Sequence, residues 1–265
     1  MDILGPWGIG EQLLGVLDTP LRDGGIAAAG NLEVDMNESS LGRCIGLIGG
    51  LGVGAAVHYY RELAKSHAAA GRVLNLVMVH ADNLRVRETI ETGDKHGLAS
   101  YLAALIGRLH AAGAEFAVVP AVAPHIAITE LIELSLLPMV NMIAELKREI
   151  ETRHLSRIAL FGTRYAIDSR LFGQLDQIEV ITPRREEVDY IHTTYFQIVD
   201  AGAGTAAQRE GLTRLAHKLM ERDRVEAIIL AGTDLALVFD ESNTDFPHVD
   251  AAGVHLNAIV KRALE

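Results

Sequence analysis

The chain has 265 residues, 49% hydrophobic and 22% charged, a balance suited to a globular fold with a sizeable core. Its 24 Lys and Arg against 35 Asp and Glu give a net charge of −11, with no basic cluster, which disfavours nucleic acid and anionic membranes as partners. A single cysteine, Cys44, excludes an internal disulfide, a CxxC pair and a cysteine-rich zinc site, and no apolar run reaches the roughly 18 residues of a membrane span.

Residues 1–41 hold one short apolar stretch, Gln12 to Leu17, followed by glycine, alanine and an acidic, serine-rich join. No period is sustained there, so the segment reads as an N-terminal extension, partly disordered, with a short helix over 9–18. Asp2 and Glu11 precede the first basic residue, Arg22, so the basic start of a secretory signal is missing. A cytoplasmic protein is therefore expected.

From Arg43 onward, short apolar runs alternate with helical patterns. The predicted strands are 44–48, 74–79, 115–119, 158–161, 178–181 and 227–230, each bounded mostly by Gly, Pro or polar residues. Between them, the spacing predicts helices over 55–69, 98–111, 185–200 and 208–222. In the second of these, Leu98, Leu102, Leu105, Ile106 and Leu109 share one face. This alternation means an α/β fold built from parallel sheets flanked by helices.

The halves echo each other. Ile45-Gly-Leu-Ile-Gly-Gly matches Ile158-Ala-Leu-Phe-Gly-Thr, and Glu115-Phe-Ala-Val-Val-Pro-Ala matches Glu226-Ala-Ile-Ile-Leu-Ala-Gly. Two similar lobes related by a pseudo-twofold follow, 42–145 with 247–265 forming the first and 146–246 the second. Ligands of α/β sheets sit beyond the carboxyl ends of the strands, which places the expected site in the cleft between lobes.

Ile45-Gly-Leu-Ile-Gly-Gly-Leu-Gly with Tyr59-Tyr60-Arg61, Leu160-Phe-Gly-Thr-Arg-Tyr, Leu230-Ala-Gly-Thr-Asp-Leu, and Val249-Asp250 with His255 occur in order across residues 43–265. Together they resemble the aspartate/glutamate racemase family, in its aspartate-racemase form. The resemblance implies an isomerase of amino acid metabolism that needs no pyridoxal phosphate, binds a small carboxylate and forms a homodimer. In that family two cysteines, one per lobe, flank the substrate α-carbon as base and acid.

Both thiols are missing here. The first motif, usually Pro-Cys-Asn-Thr-Ala-His, reads Pro120-Ala121-Val122-Ala123-Pro124-His125; the second, usually Gly-Cys-Thr-Glu, reads Ala231-Gly232-Thr233-Asp234. Neither Ala121 nor Gly232 can hold a proton, and Val53-Gly54-Ala55-Ala56 stands where Pro-Glu-Ala-Thr is usual. Cys44 starts the first strand, away from the cleft, and reads as a small hydrophobe. Two-thiol racemisation is ruled out. Val122 and Ala123 also make the wall more apolar, which predicts a substrate less polar than aspartate, aromatic or alkyl-bearing.

The remaining polar groups fix the candidates. His125 and Asp234, one per lobe beside positions 121 and 232, are the candidate acid–base pair, with Thr233 next to them. Imidazole titrates at about 6.5, and a carboxylate in an apolar pocket can be raised toward that value. The competing reading has His125 capping a turn and Asp234 bonding backbone amides at a helix start. Candidate substrate-binding residues are Gly49, Gly50, Leu51, Gly52, His80, Asp82, Asn83, Ala121, Val122, Ala123, Thr163, Arg164, Tyr165, Gly232 and His255. The amides at Gly49–Gly52 and Gly162–Thr163, with Arg164, suit an anion. Arg85 and Arg87 read as a solvated helix face.

His80, Asp82, His125, Asp250 and His255 also supply donors for zinc or manganese, though no HExxH or similar local pair occurs. Three functions stay open: a cysteine-independent acid–base enzyme (isomerase, lyase, decarboxylase or hydrolase), an inactive pseudo-racemase that senses a ligand, or a metal-dependent hydrolase.

Overall fold

The computed structural model describes residues 41–175 and 177–265. The expected extension at 1–41 thus lies outside the described residues, apart from Leu41, which bridges to Val73.

The first sheet has the order β2-β1-β3, all parallel, with β1 (Ile45–Gly49) between β2 (Leu76–His80) and β3 (Phe116–Val118). Ile45, Leu47 and Ile48 are fully buried because the sheet is covered by helices on both faces, each side chain contributing about 1.5–3 kcal/mol. Helix α1 (Val53–Ala69) follows β1, and α2 (Asn83–Glu91) with α3 (Lys95–Ala111) lie between β2 and β3. The face predicted for the 98–111 helix is the buried one, Leu98, Leu102, Leu105, Ile106 and Leu109 all facing inward. The lone cysteine, Cys44, is buried beside this core, and burial together with the Glu115 carboxylate raises its thiol pKa.

A five-residue 3-10 turn, Ala123–Ala127, leads into α4 (Ile128–Leu134) and α5 (Met142–Thr152). The second sheet then has the order β5-β4-β6-β7, again all parallel. Its strands are β4 (Arg157–Gly162), β5 (Glu179–Ile181), β6 (Ala227–Ala231) and β7 (His248–Asp250). Helix α6 (Arg164–Asp168) follows β4, while α7 (Arg185–Ala201) and α8 (Ala206–Asp223) connect β5 to β6. Central strands β1 and β4, with neighbours β3 and β6, are the segments that echo each other in sequence. A second 3-10 turn, Thr233–Leu237, follows β6 as Ala123–Ala127 follows β3.

The strand pattern corrects one boundary. Residues 247–265 were expected with the first lobe, yet β7 pairs with β6 through Ile228 opposite His248 and Leu230 opposite Asp250. Three residues were too short a run to be recognised as a strand without their partner. Asp250 then starts α9 (Ala251–Leu264), its carboxylate accepting the Ala252 and Gly253 N–H groups at 3.0 Å. Helix α9 packs on α5 and α1 as well as on β6 and β7, so it belongs to both halves.

Candidate active site

The carboxyl ends of β3 and β6 meet at the lobe interface. Thr233 Oγ1 donates to the Pro120 carbonyl at 3.1 Å, a buried bond joining one strand end directly to the other. Beside it lies a cavity of about 60 Å³ whose wall includes Ala121, Val122, Ala123, Thr163, Tyr195 and Asp234. Leu51 and Asn83 line it too, as do Val86 and Arg87 of α2. The two positions that carry thiols in the resembled family therefore flank this space or, for Gly232, abut its wall through Tyr195.

Asp234 is 2% exposed and turned across the interface toward the start of α1. Its Oδ1 accepts the Ala55 N–H at 3.1 Å and its Oδ2 the Tyr195 hydroxyl at 3.4 Å. Burial raises its pKa, against the opposing pull of those donors and of the Arg87 charge. The helix start expected to receive a ligand's anion thus presents Ala55 N–H to the protein's own carboxyl. Gly52 makes the approach possible, since a side chain there would begin 2.6 Å from Asp234 Oδ2.

His125 sits differently. It is 3% exposed, and its Nδ1 donates to the Ala121 carbonyl at 2.8 Å, which leaves Nε2 as a buried acceptor with no partner among the described residues. Burial lowers its pKa to about 4, so the ring is neutral at physiological pH. The ring meets His255 edge to face at 6.3 Å between centroids. His255 donates from Nε2 to the Val140 carbonyl at 3.1 Å, and its Nδ1 accepts from the Tyr59 hydroxyl at 3.1 Å. Burial lowers the His255 pKa to about 3 and raises that of Tyr59, so this whole cluster is uncharged.

The other candidates divide between two places. Gly50, Gly52, His80, Asp82 and Asn83 line an outer groove of about 650 Å³ with Tyr101 and Arg108. Asp82 there caps α2, accepting the Leu84 N–H at 3.0 Å. Gly50 takes the left-handed φ of +86° that the turn after β1 requires, and Gly49 ends the strand. Thr163 caps α6 through the Ala166 N–H at 3.2 Å. Arg164, expected to hold an anion, instead pairs with Asp189, and its N–H donates to His192 Nδ1 at 3.1 Å. Tyr165 is exposed against Phe172.

Of the five residues weighed as metal ligands, His80 and Asp82 line the outer groove, His125 and His255 are buried rings bound to backbone carbonyls, and Asp250 caps α9. Among the described residues no group of three or more His, Cys, Asp or Glu is placed to hold a metal. Also among them, no helix is long and apolar enough to cross a membrane.

Two residues of the cavity wall were not legible as such. Arg87, expected on a solvated face, reaches across the lobes, its guanidinium 4.6 Å over the Phe196 ring and 3.3 Å from Asp200 Oδ1. Tyr195, on α7, is 8% exposed, and burial beside Asp234 holds its hydroxyl pKa far above the ordinary value. Arg87 takes its place only with α7 beside α2, and Tyr195 only with the turn after β6 beside α7.

Comparison with known proteins agrees with this architecture. A structure of a proposed Asp/Glu racemase from Yersinia pestis superposes with a TM-score of 0.72 at 25% identity, covering 84% of this chain and all of that one. An aspartate racemase homologue from Pyrococcus horikoshii OT3 gives 0.69 at 23% identity, with the same 84% and 100% coverage. The aspartate racemase of Picrophilus torridus gives 0.68 at 19% identity, covering 84% of this chain and 94% of that one. The family model for Asp/Glu/Hydantoin racemases matches residues 48–259, and with two parallel sheets meeting at these strand ends, the chain belongs to that family.

Proposed function

We propose that this protein is a thiol-independent acid–base enzyme acting on a small carboxylate in the interlobe cleft, with Asp234 as the proton-transferring group. The observation that carries the reading is the placement of Asp234. It is a buried carboxyl of raised pKa on the cavity wall, hydrogen-bonded on each oxygen yet in no ion pair among the described residues. Such a group exchanges its proton nearer neutrality than an exposed aspartate does. Asn83, Thr163 and the Arg87 guanidinium supply polar contacts for a ligand carboxylate. Leu51, Val86 and Val122 favour a ligand whose remainder is apolar. His125, neutral and turned toward His255, positions the Ala121 turn rather than facing the cavity directly.

A second reading has its own observation. The first-lobe wall, Ala121 to Ala123, offers no proton-bearing side chain, which suits a protein that binds such a ligand without turnover. Proton NMR in D2O with a panel of small amino, hydroxy and unsaturated carboxylates separates the two. Wild type is expected to exchange or release an α-substituent, and Asp234→Asn to do neither. Ligand-induced stabilisation with no chemistry in wild type would replace the first reading by the second.

A further inference from the structure

Gly232 has an extended backbone, φ −158°, which any residue adopts, so its glycine is not explained by conformation. The reason is space. A methyl group built on Gly232 would fall 2.4 Å from Cε2 and 2.8 Å from Cζ of Tyr195. The ring therefore stands where a side chain from the end of β6 would project, and it lines the cavity with its hydroxyl on Asp234. Phe196, the next residue on α7, lines the cavity too, its ring edge to face with Tyr195 at 5.7 Å.

We infer that Tyr195 is the specificity-determining residue of the cleft: its ring closes the second-lobe side and sets the largest group a bound ligand can present there. The inference rests on the reading of the cleft as a ligand site, and it names which side chain limits that ligand's size. Tyr195→Ala would leave a ring-shaped space continuous with the cavity, of the size that a phenyl group fills. Tyr195→Phe keeps the ring and removes the hydroxyl with its bonds to Asp234 and Thr233.

The test compares wild type, Tyr195→Phe and Tyr195→Ala for binding of acetate, phenylacetate and benzene by ligand-detected NMR. The expected result is a gain of about tenfold or more for both phenyl probes in Tyr195→Ala alone. No gain for either phenyl probe, or the same gain in Tyr195→Phe, overturns the inference. A gain for benzene without one for phenylacetate keeps Tyr195 as the size limit and removes the carboxylate reading. Should Tyr195→Ala not fold, Tyr195→Leu serves in its place, read through Gly232→Ala. That second substitution is expected to lower Tm by several degrees when made in wild type and to be tolerated when combined with Tyr195→Leu. Equal tolerance in both backgrounds would show that the ring does not fill the space.

Discussion

The turns after β3 and β6 each contain a five-residue 3-10 segment and have opposite chemistry. The segment is Ala123–Ala127 in one lobe, with four residues between it and β3, and Thr233–Leu237 in the other, with one residue between it and β6. In the first, the cavity wall is apolar and the one titratable ring, His125, is folded back against its own turn and toward His255. In the second, Thr233 and Asp234 both reach across to the opposite lobe. Under the proposed function these similar folds carry unequal roles: the second turn offers a proton to the cavity, and the first shapes it.

The strongest test of that inequality is kinetic. Asp234→Asn is expected to lower turnover at least about 100-fold, the usual contribution of a positioned general acid or base. His125→Gln should cost far less, and an equal loss in both would make the two turns chemically equivalent after all. Next in size is the bond across the interface. Thr233→Val removes the only side-chain donor to the buried Pro120 carbonyl among the described residues and should destabilise by about 1–3 kcal/mol in urea unfolding. A Thr233→Val protein as stable as wild type would mean that the two turns are not tied through this bond.

A smaller effect follows from the buried imidazole. His125 has a folded pKa of about 4, below the ordinary value of about 6.5, so between these the unfolded chain holds a proton that the folded chain refuses. Its contribution is therefore full at neutral pH and is lost as pH falls through 6.5 toward 4. The stability gap between wild type and His125→Gln should accordingly narrow over that window, measured by denaturation at pH 7, 6 and 5. A gap independent of pH would mean that the ring is not buried as a neutral base. Smallest of all, Arg164→Ala should leave ligand binding unchanged, because Arg164 is engaged with Asp189 at a half-exposed position. Reduced affinity in that variant would return Arg164 to the site.

Much of the fold was written in local patterns. The predicted strands at 44–48 and 227–230 differ from β1 and β6 by a residue at one or both ends, and the internal echo identified the strands that lead to the cleft. β7 escaped because His248-Val249-Asp250 acquires meaning only beside β6. Of the residues singled out in sequence, Leu51, Asn83, Ala121, Val122, Ala123, Thr163 and Asp234 line the small cavity. Arg87 and Tyr195 did not announce themselves. Each acts through a partner more than 30 residues away, Phe196 for one and Gly232 for the other, and no periodicity encodes such a pair. The glycine at 232 read as the loss of a thiol; its other meaning, room for a ring, needed α7 in place.

The cavity's smallness sets a timescale. At about 60 Å³ the cavity is well below the roughly 150 Å³ of one that takes up benzene, so an amino or hydroxy acid needs it to widen. Entry of such a molecule then waits for the walls to part, so capture is governed by how often they do. Association should be slower than encounter by diffusion and should approach a ceiling as ligand concentration rises.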